Sequence, residues 1–213
     1  RSTLFPYTTL FRSPAGGLAE VANPSALFLA ERPEGAAGSV VLPSMEGTRP
    51  IMVEVQALVS RSNGGSGRRT AIGADAQRLA LLTAVLEKKQ GINLIDHDIF
   101  LNIAGGIRID EPALDLGVAA ALLSSYLERP IDAHTVVCGE IGLAGEVRAV
   151  GQMEQRLKEA VRLGFTRFLL PVAAWRQVQE QKKPVRGMAL VAIANVGELA
   201  EALFAAEQYK QTE

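Results

Sequence analysis

Cysteine is nearly absent from this sequence. Its 213 residues hold one, Cys138, which excludes an internal disulfide framework and a cysteine-built zinc site within the chain. Cys138 sits in an apolar strand pattern and reads as a small buried hydrophobe. The only Trp, Trp175, has no aromatic neighbours nearby, so packing suits it better than base stacking. The apolar runs are too short to span a bilayer and contain polar breaks. Overall charge is −1, so nothing global marks a nucleic-acid binder. The glycine-rich stretch Ser62–Gly67 lacks the lysine and spacing of a phosphate-binding loop. Asp96-His97-Asp98 is no metal site, because consecutive side chains diverge and no second cluster is in register. His134 is equally bland. What remains is a chain 48% hydrophobic and 21% charged. It is large enough for one sizeable domain and suited to a reducing cytoplasm.

The charge is uneven. Residues 61–90 set Arg61, Arg68, Arg69, Arg78, Lys88 and Lys89 against two acids, a net of +4. Residues 91–150 set three arginines against nine acids, a net of −6. Such asymmetry permits a basic face on a neutral protein.

Residues 1–13 share no period with the rest of the chain. TLFPYTTLFRS is what a common sequencing adapter gives when translated, so residues 1–13 are read as an artefact and the reading frame as truncated upstream. Residues 14–37, punctuated by prolines around Leu27–Leu29, read as a linker. Strands are predicted over 38–43 and, from strict alternation, over 50–60, joined by a hairpin turn at 45–48. Asp75 caps a predicted amphipathic helix to Gln90, with Leu79, Leu82, Val85 and Leu86 inward and Gly91 as its stop. Further strands are predicted over 98–103, 135–138, 143–150, 167–170 and 188–193. A helix over 152–163 turns Met153, Leu157, Ala160 and Val161 inward. Asn195 and Glu198 suggest a capping box for a last helix to about Ala205. Paired strands and then alternating helices give one mixed-sheet α/β domain.

The central stretch is Ile103–Ser125. A strand enters Gly105-Gly106, two acids precede Pro112, and a helix rich in small residues comes next. The acids suit the positive end of a helix dipole, and Pro suits its first turn. Leu114, Gly117, Val118, Ala121 and Leu122 form a buried face, and Gly117 with Ala119–Ala121 lets another backbone come close. This is a natural place for a catalytic site.

The segments NPSALFLAERPEGAAGSVV, EVQALVS, RRTAIG, AGGIRIDEPALDLGVAAALLSS and GEIGLAGEVRAVGQMEQRLKEA resemble the C-terminal domain of the RadA (Sms) family of bacterial DNA-repair proteins. The resemblance runs from about Gly16 to the end. That domain is similar to the proteolytic domain of Lon proteases, which implies a single Lon-protease-like domain over 38–213, of the ribosomal-protein-S5-domain-2-like type. It also makes 14–37 the linker from an absent ATPase core. Lon-type sites use a Ser nucleophile in Asp-Gly-Pro-Ser-Ala-Gly and a Lys base after Gly-Gly-Leu. The matching positions here are Ala113 and Glu154, so both halves of the Ser–Lys dyad are missing. Ser124 and Ser125 lie about three turns downstream and cannot substitute. Lys158 lies about a turn past Glu154.

The resemblance therefore implies a chain with no catalytic residues of its own. Its parent would be a DNA-dependent ATPase of recombinational repair, with ATP, Mg and Zn sites in the upstream part. Implied partners are further copies in a hexameric ring, single- or double-stranded DNA, and recombinase filament proteins, with no membrane. Arg68, Arg69, Arg78, Lys88 and Lys89 are the candidate DNA contacts. They would grip phosphates independently of sequence and sensitively to salt. Two other classes stay open: a peptidase with a rearranged site using Asp115 or Glu154, and a peptide-binding module that keeps a groove without chemistry.

Overall fold

The hairpin of β3 (Ser39–Glu46) and β4 (Arg49–Arg61) is the centre of the sheet. Glu46 pairs with Arg49, so Gly47-Thr48 form a two-residue turn, with Gly47 at φ 60° where a β-carbon would strain the backbone. This is a computed structural model, and it describes residues 11–12, 19–20, 24–65, 67–180 and 185–204. Most of the expected artefact, much of the linker, Ser66 and the end of the last helix lie outside the described residues. Near the start, β1 (Phe11–Arg12) pairs antiparallel with β2 (Ala19–Glu20).

Seven strands form a mixed sheet in the order β11-β10-β7-β3-β4-β6-β5. In chain order the later ones are β5 (Arg69–Ile72), β6 (His97–Ile103), β7 (Thr135–Val137), β10 (Arg167–Pro171) and β11 (Ala189–Ile193). β4 is antiparallel to β3 and β6, and the other pairings are parallel. β8 (Glu140–Ile141) and β9 (Val147–Arg148) form a separate hairpin. The predicted strand over 143–150 is thus mostly turn, because Gly142 and Gly145 break it.

Alternation along the strands feeds two cores. Val40, Leu42, Val53 and Val55 face α2 (Ala76–Gln90) and α3 (Asp115–Tyr126), while Val41 and Met52 face α4 (Met153–Arg162) and α5 (Val172–Glu180). The polar face expected mid-β4 is therefore buried. Glu54 is 2% exposed and accepts a bond from Ser39 Oγ at 2.6 Å. Trp175 packs on the second core.

The linker region holds a docked helix, α1 (Pro24–Leu29). Ser25 Oγ accepts from Met52 N at 3.0 Å and donates to Glu159 at 2.9 Å. Phe28 stands over Gly105, where an added β-carbon would come within 2.3 Å of its ring. α2 matches its prediction: Asp75 accepts from Arg78 N, and Gly91 ends it at φ 68°.

α3 is buried on all sides from Asp115 to Ser125, not on one stripe, because it lies between α2 and the sheet. Gly117 makes room for the Leu42 side chain rather than a backbone. In α4 the inward stripe is Met153, Arg156, Leu157 and Ala160, and Val161 is 38% exposed. Asn195 makes no cap bond. Glu198 instead accepts from Ala194 N and the Asn195 amide before α6 (Leu199–Phe204).

Candidate functional site

Ala113 lies in a 3-10 turn, Pro112–Leu114, immediately before α3. Its methyl is 1% exposed, in one apolar cluster with Met52, Val136, Cys138 and Met153. Met153 precedes Glu154, so the fold brings both dyad positions to one locality. That locality is closed on the Ala113 side. Glu154 faces outward and pairs with Lys158 Nζ at 2.7 Å, one turn along α4.

A buried ion pair occupies the ground between them. Arg156 is 2% exposed. Its guanidinium binds the Glu111 carboxylate, Pro43 O at 2.7 Å and Gly151 O at 3.0 Å. Glu111 also accepts from Ser44 Oγ at 3.1 Å and Met45 N at 3.0 Å. The group ties β3, the turn before α3 and the start of α4 together. Glu111 therefore serves Arg156 rather than capping a helix, and Asp110 pairs with Arg108 in solvent. Arg156 does sit on the inward stripe, at i+3 from Met153 and i−4 from Ala160, but the carboxylate that makes its burial stable is not local in sequence.

Asp115 is also buried, 2% exposed. Arg78 grips it through Nε at 2.8 Å and through Nη2, and Ile141 N donates to it at 3.0 Å. Both oxygens are engaged in holding α2, α3 and β8 together. That hydrogen bonding also raises the Arg78 pKa. Burial pushes the Cys138 thiol up to about 12, so it stays protonated and inert. Ser124 and Ser125 accept from Gly38 N and Val59 N, each at 2.9 Å.

The five candidate cations divide. The parallel β5–α2–β6 crossover puts the start of β5, the start of β6 and the end of α2 at one end of the sheet. Arg68, Lys88 and Lys89 are exposed there, and so is Arg61 at the end of β4. Arg61 belongs with them structurally, although it was not among the candidate contacts. Arg68 pairs with Asp98 at 3.3 Å with its own side chain 78% exposed. Its backbone N–H foremost holds the Asp98 carboxyl below the usual range. Arg69 instead turns inward, donating to His97 O at 2.7 Å and Leu94 O at 2.8 Å. Arg78 lies ten residues before Lys88, about 15 Å along the helix, and is committed to Asp115.

His97 packs edge-on to Tyr126 at 5.4 Å. Among the described residues no group of three or more His, Cys, Asp or Glu could hold a metal ion, and no helix is long and apolar enough to cross a membrane.

Residues 69–174 match a sequence family described as subunit ChlI of Mg-chelatase. The chain is 46% identical over 195 residues to the DNA repair protein RadA of Streptococcus pyogenes, covering 92% of this chain and 42% of that protein. The chain belongs to the RadA family. RadA of Bacillus subtilis is 47% identical over 189 residues, 89% of this chain and 40% of the relative. RadA of Halalkalibacterium halodurans is 52% identical over 162 residues, 76% and 35%. The chain thus spans roughly two-fifths of the length of the RadA proteins it matches.

Proposed function

We propose that this chain is the non-proteolytic C-terminal domain of a RadA-type DNA-dependent ATPase acting in recombinational repair in the cytoplasm. The carrying observation is the closed Ala113 locality. The position where a Lon-type domain would carry its nucleophile is a methyl group inside an apolar core, and the base position holds an outward carboxylate paired with Lys158. Asp115, the other acid a rearranged peptidase would need, has both oxygens held.

On this reading the domain contributes assembly and DNA contact to its parent. Heterologous contacts closing into a hexameric ring suit such a scaffold. Recombinase filament proteins are the expected partners. ATP, Mg and Zn would bind in the parts of the relatives that this chain does not span. The basic end of the sheet, Arg61, Arg68, Lys88 and Lys89, would meet phosphates, with Arg69 and Arg78 supporting the fold instead of touching DNA.

The test pairs a peptidase assay with duplex binding read by fluorescence anisotropy. No cleavage of casein is expected, and Ala113→Ser with Glu154→Lys should not create any. Affinity for a duplex of arbitrary sequence should fall steeply with salt. Arg68→Ala with Lys88→Ala should weaken it, while Arg69→Ala should leave binding alone in any fraction that folds. Sustained cleavage abolished by Glu154→Ala would overturn the non-proteolytic reading. Unchanged duplex binding in the Arg68/Lys88 variant would overturn the assigned face.

A further inference from the structure

A groove of about 450 Å³ lies between α2 and the 109–115 segment, away from the basic end of the sheet. Neither Ala113 nor Glu154 lines it. Its depth is apolar: Leu82, Leu101, Leu114 and Val118 are each at most 4% exposed. Leu81 and Ile109 stand higher on its walls, and Leu81 keeps 44% of its surface in solvent. That is unusual on α2, whose Leu79, Leu82 and Leu86 are all buried.

The rim has one sign of charge. Asp75, Asp110, Glu111, Asp115 and Glu140 line the groove against a single base, Arg78. Arg78 is largely neutralised within the fold, because Asp115 takes its Nε and Nη2 and Ile141 O shares Nη2. Glu111 is satisfied by Arg156. Asp75, Asp110 and Glu140 remain at the surface. Asp110 meets Arg108 at 3.2 Å and Glu140 meets Arg148 at 3.8 Å, both with exposed arginines. Such solvated pairs exchange readily with an incoming cation.

An apolar slot with an acidic rim repels nucleic acid and acidic peptides and attracts cations that carry an apolar anchor. We propose that this groove docks a basic polypeptide segment of a partner protein, seating one aliphatic or aromatic side chain against Leu81 and Val118 with flanking Lys or Arg on Asp110 and Glu140. The occupant is thereby distinguished from DNA, whose proposed contacts lie at the other end of α2. The two readings fail separately.

The probe is a fluorescein-labelled octapeptide, Gly-Lys-Arg-Leu-Leu-Arg-Lys-Gly, titrated with the whole 213-residue chain and read by anisotropy. Saturable binding that weakens with salt is expected. Leu81→Arg should weaken it by about tenfold or more, as should Asp110→Lys with Glu140→Lys. The latter pair alters only rim residues, so its fold is secure, and circular dichroism checks both variants. A control peptide with Glu in place of Lys and Arg should bind far more weakly. Arg68→Ala with Lys88→Ala should leave peptide binding unchanged. The proposal is overturned if the basic peptide fails to saturate by about 1 mM, if the acidic peptide binds equally, or if neither groove variant matters. Concentration-dependent self-association that Leu81→Arg abolishes would assign the groove to a second copy and overturn the partner.

Discussion

Replacing Arg156 with Met separates a buried ion pair that holds the fold from one that merely fills space. Met preserves much of the apolar stem and removes every donor. The Glu111 carboxylate, Pro43 O and Gly151 O then lose their shared partner. Breaking one side of a buried pair costs about 3–5 kcal/mol, since a desolvated charge is left behind. Glu111 retains Ser44 Oγ and Met45 N, and its side chain is 23% exposed, which places the expected loss near 3 kcal/mol, the low end of that range. Urea unfolding monitored by circular dichroism is the assay. With a slope of roughly 2 kcal/mol per molar, the midpoint should drop by about 1.5 M. Adding Glu111→Gln removes the stranded charge and should recover about 1–2 kcal/mol. A single-variant loss below about 1 kcal/mol at unchanged slope would refute the account, because the pair would then be hydrated rather than buried.

The same packing has three other consequences. Gly117→Ala places a β-carbon 2.6 Å from Leu42 Cδ2. Leu42 is fully buried, so shifting its methyl disturbs the packed core, and the overpacking cost of about 1–3 kcal/mol should exceed the gain of roughly 1 kcal/mol in helix propensity, read as a lower urea midpoint. Gln152→Gly relieves a non-glycine residue at φ 59° and should raise stability by about 0.5 kcal/mol, seen as a thermal midpoint higher by roughly 1–2 °C. Cys138 should resist a disulfide reagent at pH 8 until the chain is unfolded. Its folded pKa is raised to about 12, so it contributes stability below the unfolded value that is lost as pH rises from roughly 8.5 towards 12. Cys138→Ala should flatten that alkaline decline in denaturation midpoints.

Local signals decided α2 with its Asp75 cap and Gly91 stop, and the β3–β4 turn, because caps, turns and periodicity depend on residues close in sequence. That positions 113 and 154 hold Ala and Glu is likewise read directly from the residue order. Burial of polar groups was not. Glu54 lies in the middle of an alternating strand, and alternation reads it as solvent-facing. Its burial comes from packing on the second face of the sheet, which no local pattern in β4 reveals. Arg156 was masked in the same way, because an arginine on an apolar stripe is stable inside only when a distant carboxylate meets it, here Glu111, 45 positions earlier.

The division is clearest in the basic patch. Residue order alone establishes that six cations cluster between positions 61 and 90 and that the acids come after them. Which of those cations face water is settled by the closed fold. The crossover sends Arg68, Lys88 and Lys89 to one end of the sheet, where Arg61 joins them. It turns Arg69 onto two carbonyls and Arg78 onto Asp115 at the far end of α2. Charge is a property of composition. Its availability depends on what each guanidinium finds within reach once the chain has closed, and that is set by contacts between residues far apart in sequence.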